Sequence, residues 1–252
     1  MIVTSKISSE KYQWVKIPRT ATVSYRSLFF PDTDNRIVLH THTKYNEHET
    51  CDNCANEAHK NYPAFVLIRN PISRFISSLR FISSRFENLE IDIENTKQDV
   101  FKRCDVCGEE KRILQHRNER FNRDTLNVFK FWEDENIFYD FMYDNFQKNC
   151  NLKPGMTYED IFTTPDSTFI RSFFKTQLSA CYHPAVKIFK YENIDEYNYW
   201  IENELGYDVS KLKKINASRL LTNKKEVLDY TSKKFTDLVK HLFYDDFKYF
   251  GY

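Results

Sequence analysis

A nearly continuous apolar run from Ala64 to Arg69 (AFVLIR) is the feature that most constrains the fold of this chain. Continuous rather than alternating hydrophobicity is typical of a strand covered on both faces within a parallel sheet. Asn70 and Pro71 follow at once, a pair typical of the N-cap and first position of a helix. The next apolar residues recur with helical spacing: Ile72, Phe75, Ile76, Leu79 and Ile82. The segment therefore predicts a buried strand that passes directly into an amphipathic helix.

A second junction of this kind lies between Trp14 and Phe30. Residues 13 to 18 predict the first strand, and about 22 to 30 predict its helix. A strand, a tight loop and a helix together direct backbone N–H groups and the positive end of a helix dipole at one point, which is how proteins hold phosphate-like anions. Arg19 adds a fixed positive charge to this loop. We therefore expect an anion-binding loop here.

Further strands are predicted at about Arg36 to Thr43 and at Ala185 to Tyr191. In the first of these, His40 and His42 share one side of the strand because side chains alternate with period two. The second is followed by a helix that we expect to end at Gly206. These strands and their helices predict an α/β fold, a three-layer sandwich with a central parallel sheet flanked by helices.

The remaining periodic segments predict helices. About Arg112 to Lys148 is interpreted as two helices, and the tail from Lys224 as one. The tail has an apolar stripe at alternating spacings of three and four: Leu228, Thr231, Phe235, Leu238 and Leu242. The polar, cysteine-bearing stretches at about 44–62 and 87–111 are interpreted as insertions in a single domain that spans 1–252.

Composition excludes several classes of protein. The 252 residues carry 37 Lys and Arg against 36 Asp and Glu, so a net charge of +1 gives no global case for a nucleic-acid or membrane-surface protein. Only 4 glycines are present, and their positions cannot form the glycine-rich loops of nucleotide kinases or Rossmann domains. No signal-peptide pattern appears, and no apolar run approaches the roughly 18 residues of a membrane span. We expect a soluble, cytoplasmic protein.

Four of the 6 cysteines form two C-x-x-C pairs, Cys51 with Cys54 and Cys104 with Cys107. Two such pairs supply the four thiolates of a closed tetrahedral structural zinc site. Two disulfides or unmodified thiols are the alternatives, and three histidines could replace a cysteine as ligand: His48, His59 and His116. Cys150 and Cys181 are interpreted as ordinary buried thiols or thiols without a partner.

Three segments together resemble the sulfotransferases that depend on 3′-phosphoadenosine 5′-phosphosulfate (PAPS), in particular the heparan- and chondroitin-type carbohydrate branch. The loop from Pro18 to Ser24 (PRTATVS) is similar to the family's P-K-[TV]-[AG]-[SG]-[TS]-[ST]. The segment from Arg69 to Ser77 (RNPISRFIS) matches R-[DN]-P-x-x-R-x-x-S without departure. The final third has a similar order of features: KYENI near residue 190, a loop with Asn216, Tyr244-x-Asp246-Phe247, and Phe250-Gly251-Tyr252.

The resemblance implies a P-loop-like sulfotransferase fold and a set of cofactor-binding residues. The first loop would hold the 5′-phosphosulfate through a run of consecutive positions: Arg19, Thr20, Ala21, Thr22, Val23 and Ser24. Arg69 and Ser77 would hold the 3′-phosphate, with Arg74 in a structural role. The product would be 3′-phosphoadenosine 5′-phosphate (PAP).

The first loop departs from the family pattern at two positions. Arg19 stands where Lys is usual, and Val23 stands where a small hydroxylated residue is usual. A guanidinium, with a pKa of about 12.5 or above, stays charged, so Arg19 would stabilise developing negative charge without donating a proton.

Sulfuryl transfer to a hydroxyl also needs a base, which family members that act on carbohydrates supply as His or Glu near the second strand. His42 is favoured over His40, because it is nearer the end of that strand, and its imidazole titrates near the working pH. Glu47 and Glu49 are reserve candidates.

The predicted function is therefore sulfuryl transfer from PAPS to a hydroxyl acceptor, a carbohydrate by the resemblance, without a nucleic-acid partner. Two alternatives remain at this stage. One is a nucleotide-binding pseudoenzyme, suggested by Arg19. The other is a zinc-knuckle binding module with the basic segment Lys211 to Lys214. The sequence predicts neither the acceptor's identity nor an oligomeric state.

Overall fold

The structure is a computed structural model that describes residues 2–31, 62–86, 97–103, 110–116, 134–146, 176–181, 183–212 and 228–252. We number its elements in chain order. The strands are β1 (Ile2–Thr4), β2 (Lys11–Val15), β3 (Ala64–Ile68), β4 (Lys97–Arg103), β5 (Glu110–His116) and β6 (Val186–Lys190). The α-helices are α1 (Thr22–Phe29), α2 (Pro71–Phe86), α3 (Glu135–Phe146), α4 (Leu178–Cys181), α5 (Ile194–Trp200), α6 (Lys233–Leu242) and α7 (Tyr244–Phe250).

Four strands form one mixed sheet in the order β1-β2-β3-β6. β1 runs antiparallel to β2, whereas β2, β3 and β6 are parallel to one another. Phe65 pairs with Trp14 on one side and with Lys187 on the other. All five residues of β3 are buried, so both of its faces are covered, as its continuous hydrophobicity predicts. The predicted α/β fold with a mainly parallel sheet is confirmed.

The chain divides into two compact units. The first comprises Met1–Arg69, Lys97–Gln115 and Ala180–Ala217, and the second comprises Asn70–Thr96, His116–Ser179 and Ser218–Tyr252. β4 and β5 pair as a separate two-stranded sheet. β4 lies within the predicted second insertion, whereas β5 begins at its end and continues to His116. The interpretation of 1–252 as a single domain with two insertions stays a prediction.

The core of the first unit is aromatic, and it lies between one face of the sheet and helices α1 and α5. Trp14 meets Phe29 with ring centroids 5.0 Å apart, and Phe65 meets Trp200 at 4.9 Å. Both distances suit the edge-to-face or tilted packing that aromatic rings prefer. This packing holds α1 against the sheet, and with it the loop that leads into α1.

The core of the second unit is built by α2, α3 and α6. Its buried residues include Phe75, Leu79, Phe138, Tyr139, Met142, Phe235, Leu238, Leu242 and Phe243. The stripe predicted in the tail is buried at Phe235, Leu238 and Leu242, as a core face should be. This packing fixes α2, whose first turn belongs to the second sequence motif.

Three predicted boundaries are wrong. The first strand ends at Val15 rather than at residue 18. Residues 112–116 belong to β5 rather than to a helix, because their pairing with β4 overrides a local preference that single sequences show weakly. The tail helix begins at Lys233 rather than near Lys224. Asp229 forms a turn by accepting from Thr231 N at 2.9 Å, and Ser232 caps the helix by accepting from Phe235 N at 3.1 Å.

Gly206 ends the helical segment after α5, as predicted, and it has a left-handed φ of 71°. A Cβ at this position would lie 2.8 Å from Ile7 Cγ1. We therefore expect Gly206→Ala to lower the free energy of unfolding by about 2 kcal/mol, from backbone strain and the close contact together. Urea unfolding measures this loss. Gly251→Ala is the matched control, because its φ is 64° but nothing lies within 4 Å of the added Cβ. Equal losses in the two variants would show that the contact with Ile7 contributes nothing.

Candidate functional site

The loop after β2, the residue after β3 and the turn after β6 lie at one edge of the sheet. The three strands are parallel, so their carboxyl ends meet there. Arg69 directly follows β3, and Tyr191 directly follows β6. Open parallel sheets bind ligands at this edge, outside the carboxyl ends of the strands.

The loop between β2 and α1 has an unusual backbone. Arg19 and Ala21 both have left-handed φ values, 68° and 58°. The hydroxyls of Thr20 and Thr22 both donate to the carbonyl of Ile17, at 2.8 and 2.6 Å. Alternation of left-handed with other conformations turns successive N–H groups towards one side and makes an anion-binding concavity. The two threonines thus hold the loop in a shape that its non-glycine residues adopt at a cost.

The backbone N–H groups of this loop form the candidate anion site. Those of Ser24 and Tyr25 both donate to the carbonyl of Ala21, at 3.0 and 3.2 Å. The four preceding N–H groups, from Thr20 to Val23, meet no acceptor in the part of the chain that the structure describes. The first turn of α1 contains no acidic residue, and its dipole adds positive potential. The loop can therefore hold an anion such as a phosphate.

Arg69 is fixed beside this loop by two contacts. Its Nη1 donates to the carbonyl of Arg19 at 3.3 Å, and its guanidinium carbon lies 4.9 Å from the centroid of the Tyr191 ring. The left-handed residue Arg19 therefore also supplies the acceptor that orients Arg69. A guanidinium oriented in this way can bind a phosphate with two parallel hydrogen bonds.

The second motif continues into a capped helix. Asn70 Oδ1 accepts from the N–H groups of Ile72 and Ser73 at 3.0 and 3.3 Å, so Asn70 is the predicted N-cap of α2. Ser73 and Ser77 lie one turn apart and are both partly exposed, whereas Arg74 and Ser78 are buried. The motif thus presents Ser77 on one side of the helix and Arg74 towards the core of the second unit.

A family model described as "Sulfotransferase family" matches residues 24–252. The chain belongs to the sulfotransferase family. The match includes the whole of the second motif and the chain's ending, and it begins at the last residue of the first loop. No curated protein and no solved structure matches the chain. Membership supports the transfer of sulfate groups in general.

Asp246 of this sulfotransferase has a buried environment that the sequence did not predict, because the sequence showed it only as part of the chain's ending. It is completely buried, and its carboxylate accepts from the N–H groups of Gln177 and Leu178 at 2.9 Å each. Burial raises the pKa of Asp246 to about 6, against the lowering effects of the Arg74 charge and of these hydrogen bonds. The residues next to Asp246 in the sequence do not predict its contact with Gln177 and Leu178, because these two residues lie far away in the chain. The burial of Arg74 agrees with the structural role predicted for it.

Several predicted site residues lie outside the described residues. These are the strand from Arg36 to Thr43 with His40 and His42, the reserve bases Glu47 and Glu49, and the four cysteines Cys51, Cys54, Cys104 and Cys107. Within the ranges that the structure does describe, no group of three or more metal-ligating side chains occurs. The base and the zinc site therefore stay predictions.

Two smaller predictions can be compared with the structure. Cys181 is fully buried, as expected of an ordinary core thiol. Among the helices of the described ranges, none has both the length and the apolar composition that a membrane crossing requires.

Proposed function

We propose that this sulfotransferase transfers the sulfuryl group of PAPS to a hydroxyl group of a carbohydrate. The observation that carries the proposal is the loop from Thr20 to Val23, whose N–H groups and helix dipole suit a doubly charged 5′ end. The contact between Arg69 and the carbonyl of Arg19 places a second cation beside this loop. PAPS has two separate anionic groups, the 5′-phosphosulfate and the 3′-phosphate. The loop and Arg69 would each bind one of them.

Different residues of the chain would bind the two anionic groups of PAPS. The loop residues from Arg19 to Ser24 would hold the 5′-phosphosulfate, mainly through main-chain donors, because Thr20 and Thr22 already use their hydroxyls within the loop. Arg69 would hold the 3′-phosphate together with Ser77, which the shared motif supports. The Val23 side chain is 42% exposed, so an apolar residue here does not disturb the packing of the loop.

The donor supplies a sulfuryl group attached to a phosphate leaving group. In the transfer, the acceptor oxygen forms a bond to sulfur while the bond from sulfur to the bridging phosphate oxygen breaks. A nitrogen of the His42 imidazole would take the proton of the acceptor hydroxyl, with His40 as the second candidate. Arg19 and the loop N–H groups would stabilise the negative charge that develops on the leaving phosphate.

Titration with PAP, followed by an assay for transfer of labelled sulfate from PAPS to a panel of glycans, tests this proposal. We expect saturable PAP binding and labelling of at least one glycan. Binding without transfer to any glycan or other hydroxyl acceptor would favour the nucleotide-binding pseudoenzyme, for which Arg19 in place of Lys is the specific observation. Absence of PAP binding would reject the proposed cofactor.

We also propose that Cys51, Cys54, Cys104 and Cys107 bind one structural zinc, because two C-x-x-C pairs supply four thiolates. We expect about one zinc per chain in freshly purified protein, and a lower melting temperature after chelation, because a structural zinc contributes its binding energy to folding. Elemental analysis measures the first and thermal unfolding the second. A Cys181→Ser variant serves as the control and should keep its zinc. Zinc well below one per chain in wild type would reject the site.

A further inference from the structure

Tyr191 lies beside Arg69 because of the register of the sheet. In the parallel pairing of β3 with β6, the last pair joins Ile68 to Lys190. Arg69 and Tyr191 are each the next residue along the chain, so both leave the sheet at its carboxyl edge, side by side. Neighbouring strands lie about 4.8 Å apart, and residues in register point to the same face. The register therefore accounts for the proximity of the guanidinium and the ring.

The two side chains form a cation–π contact. The guanidinium carbon of Arg69 lies 4.9 Å from the centroid of the Tyr191 ring. This distance is within the roughly 6 Å over which an aromatic face attracts a cation. The ring is 36% exposed, so the contact is partly shielded from water. A contact of this kind restrains a guanidinium without using any of its five N–H donors.

The anion-binding loop holds Arg69 from a second direction. Nη1 of Arg69 donates to the carbonyl of Arg19 at 3.3 Å. A single hydrogen bond of this length is weak and restrains only one nitrogen, so by itself it leaves the guanidinium able to turn. The Tyr191 ring limits that turning. The hydrogen bond and the ring contact together therefore restrict the directions in which the guanidinium can present its donors.

We propose that Tyr191 is a positioning residue for the 3′-phosphate: its ring holds the Arg69 guanidinium in the orientation that binds this group. The inference rests on the proposed function, because it takes Arg69 to bind the 3′-phosphate of the nucleotide. A side chain that is ordered before binding loses less conformational entropy when the phosphate arrives, and this raises affinity. The proposal gives a role to the tyrosine of the KYENI segment.

A different role for the same ring would be direct stacking on the adenine base, as aromatic side chains do with nucleic-acid bases. The two roles require different parts of the nucleotide. A ring that acts through Arg69 affects only ligands that carry the 3′-phosphate. A ring that stacks on adenine affects every adenine nucleotide, with or without that phosphate. Ligands that differ only in the 3′-phosphate therefore distinguish the two roles.

The test is titration of the purified full chain with PAP and with adenosine 5′-phosphate, which lacks only the 3′-phosphate. We expect Tyr191→Leu to bind PAP about tenfold more weakly than wild type, because the cation–π contact and the ordering of Arg69 are lost. Tyr191→Phe should bind PAP within about twofold of wild type, because it keeps the ring. Adenosine 5′-phosphate should bind equally to all three proteins. Tyr191→Gln carries the test if Tyr191→Leu does not fold.

Two further variants complete the comparison. In an Arg69→Ala background, Tyr191→Leu should cause no additional loss of PAP affinity, because the ring then has no guanidinium to hold. Tyr199→Leu is the matched control. It removes a tyrosine that is 69% exposed on α5, shortly after Tyr191 in the chain, and it should match wild type with both ligands.

Equal PAP affinity of Tyr191→Leu and wild type would overturn the inference. A loss that persists with adenosine 5′-phosphate, or in the Arg69→Ala background, would also overturn it, because the ring would then act on another part of the nucleotide. In these cases wild type still binds PAP, and the proposed cofactor stands. If wild type does not bind PAP, the proposed function fails and the inference fails with it.

Discussion

Replacing Arg69 by alanine is expected to weaken PAP binding by about 100-fold or more. Two charge-assisted hydrogen bonds to a phosphate contribute about 3 kcal/mol together, and each 1.4 kcal/mol is a factor of ten. The structure adds a reason specific to this chain. Arg69 also donates to the carbonyl of Arg19 at 3.3 Å, so its loss removes a contact that supports the anion-binding loop. Isothermal titration calorimetry with PAP measures the effect.

Two variants sharpen this prediction. Arg69→Lys keeps the charge but loses the planar fork, so we expect it to remain at least tenfold weaker than wild type. Lys187→Ala is the matched control, because it removes an exposed cation from the same sheet. Lys187 lies over Phe189 and Trp200 instead of at the carboxyl edge. Equal affinity of Arg69→Ala and Lys187→Ala would show that Arg69 does not bind the nucleotide.

Replacing His42 by alanine is expected to lower turnover by about 100- to 10,000-fold, the usual contribution of a general base. PAP affinity should stay unchanged, because the base acts on the acceptor hydroxyl rather than on the nucleotide. With a typical histidine pKa of about 6.5, turnover of wild type should rise as pH increases through this value, and the variant should lose that rise. Steady-state rates across pH 5.5 to 8 measure both effects.

His40→Ala is the control for this prediction, because it removes the neighbouring imidazole on the same side of the predicted strand. We expect it to keep most of its turnover. Turnover retained in His42→Ala would reject this role and direct attention to His40, Glu47 and Glu49.

The two cofactor motifs could be found from the sequence to different degrees. The structure of the second motif was predicted almost completely. Its buried strand, the Asn70 cap and the outward-facing Ser77 follow from hydrophobic pattern and capping chemistry, both of which act within a few residues. For the first loop, the sequence predicted the position in the chain but not the backbone conformation. Left-handed backbone at Arg19 and Ala21, in a loop without glycine, depends on the carbonyl of Ile17 being available to two threonine hydroxyls.

The sequence by itself determined the α/β class, the order of strand and helix at both motifs, and the family to which the chain belongs. These features depend on periodicity and on contacts between near neighbours in the chain. Only the tertiary structure decided how Arg69 is oriented between Arg19 and Tyr191, and how Asp246 meets Gln177 and Leu178. The physical reason is that hydrogen bonding of a buried carboxylate and stacking of a cation on a ring require groups from distant segments, and folding alone brings them together.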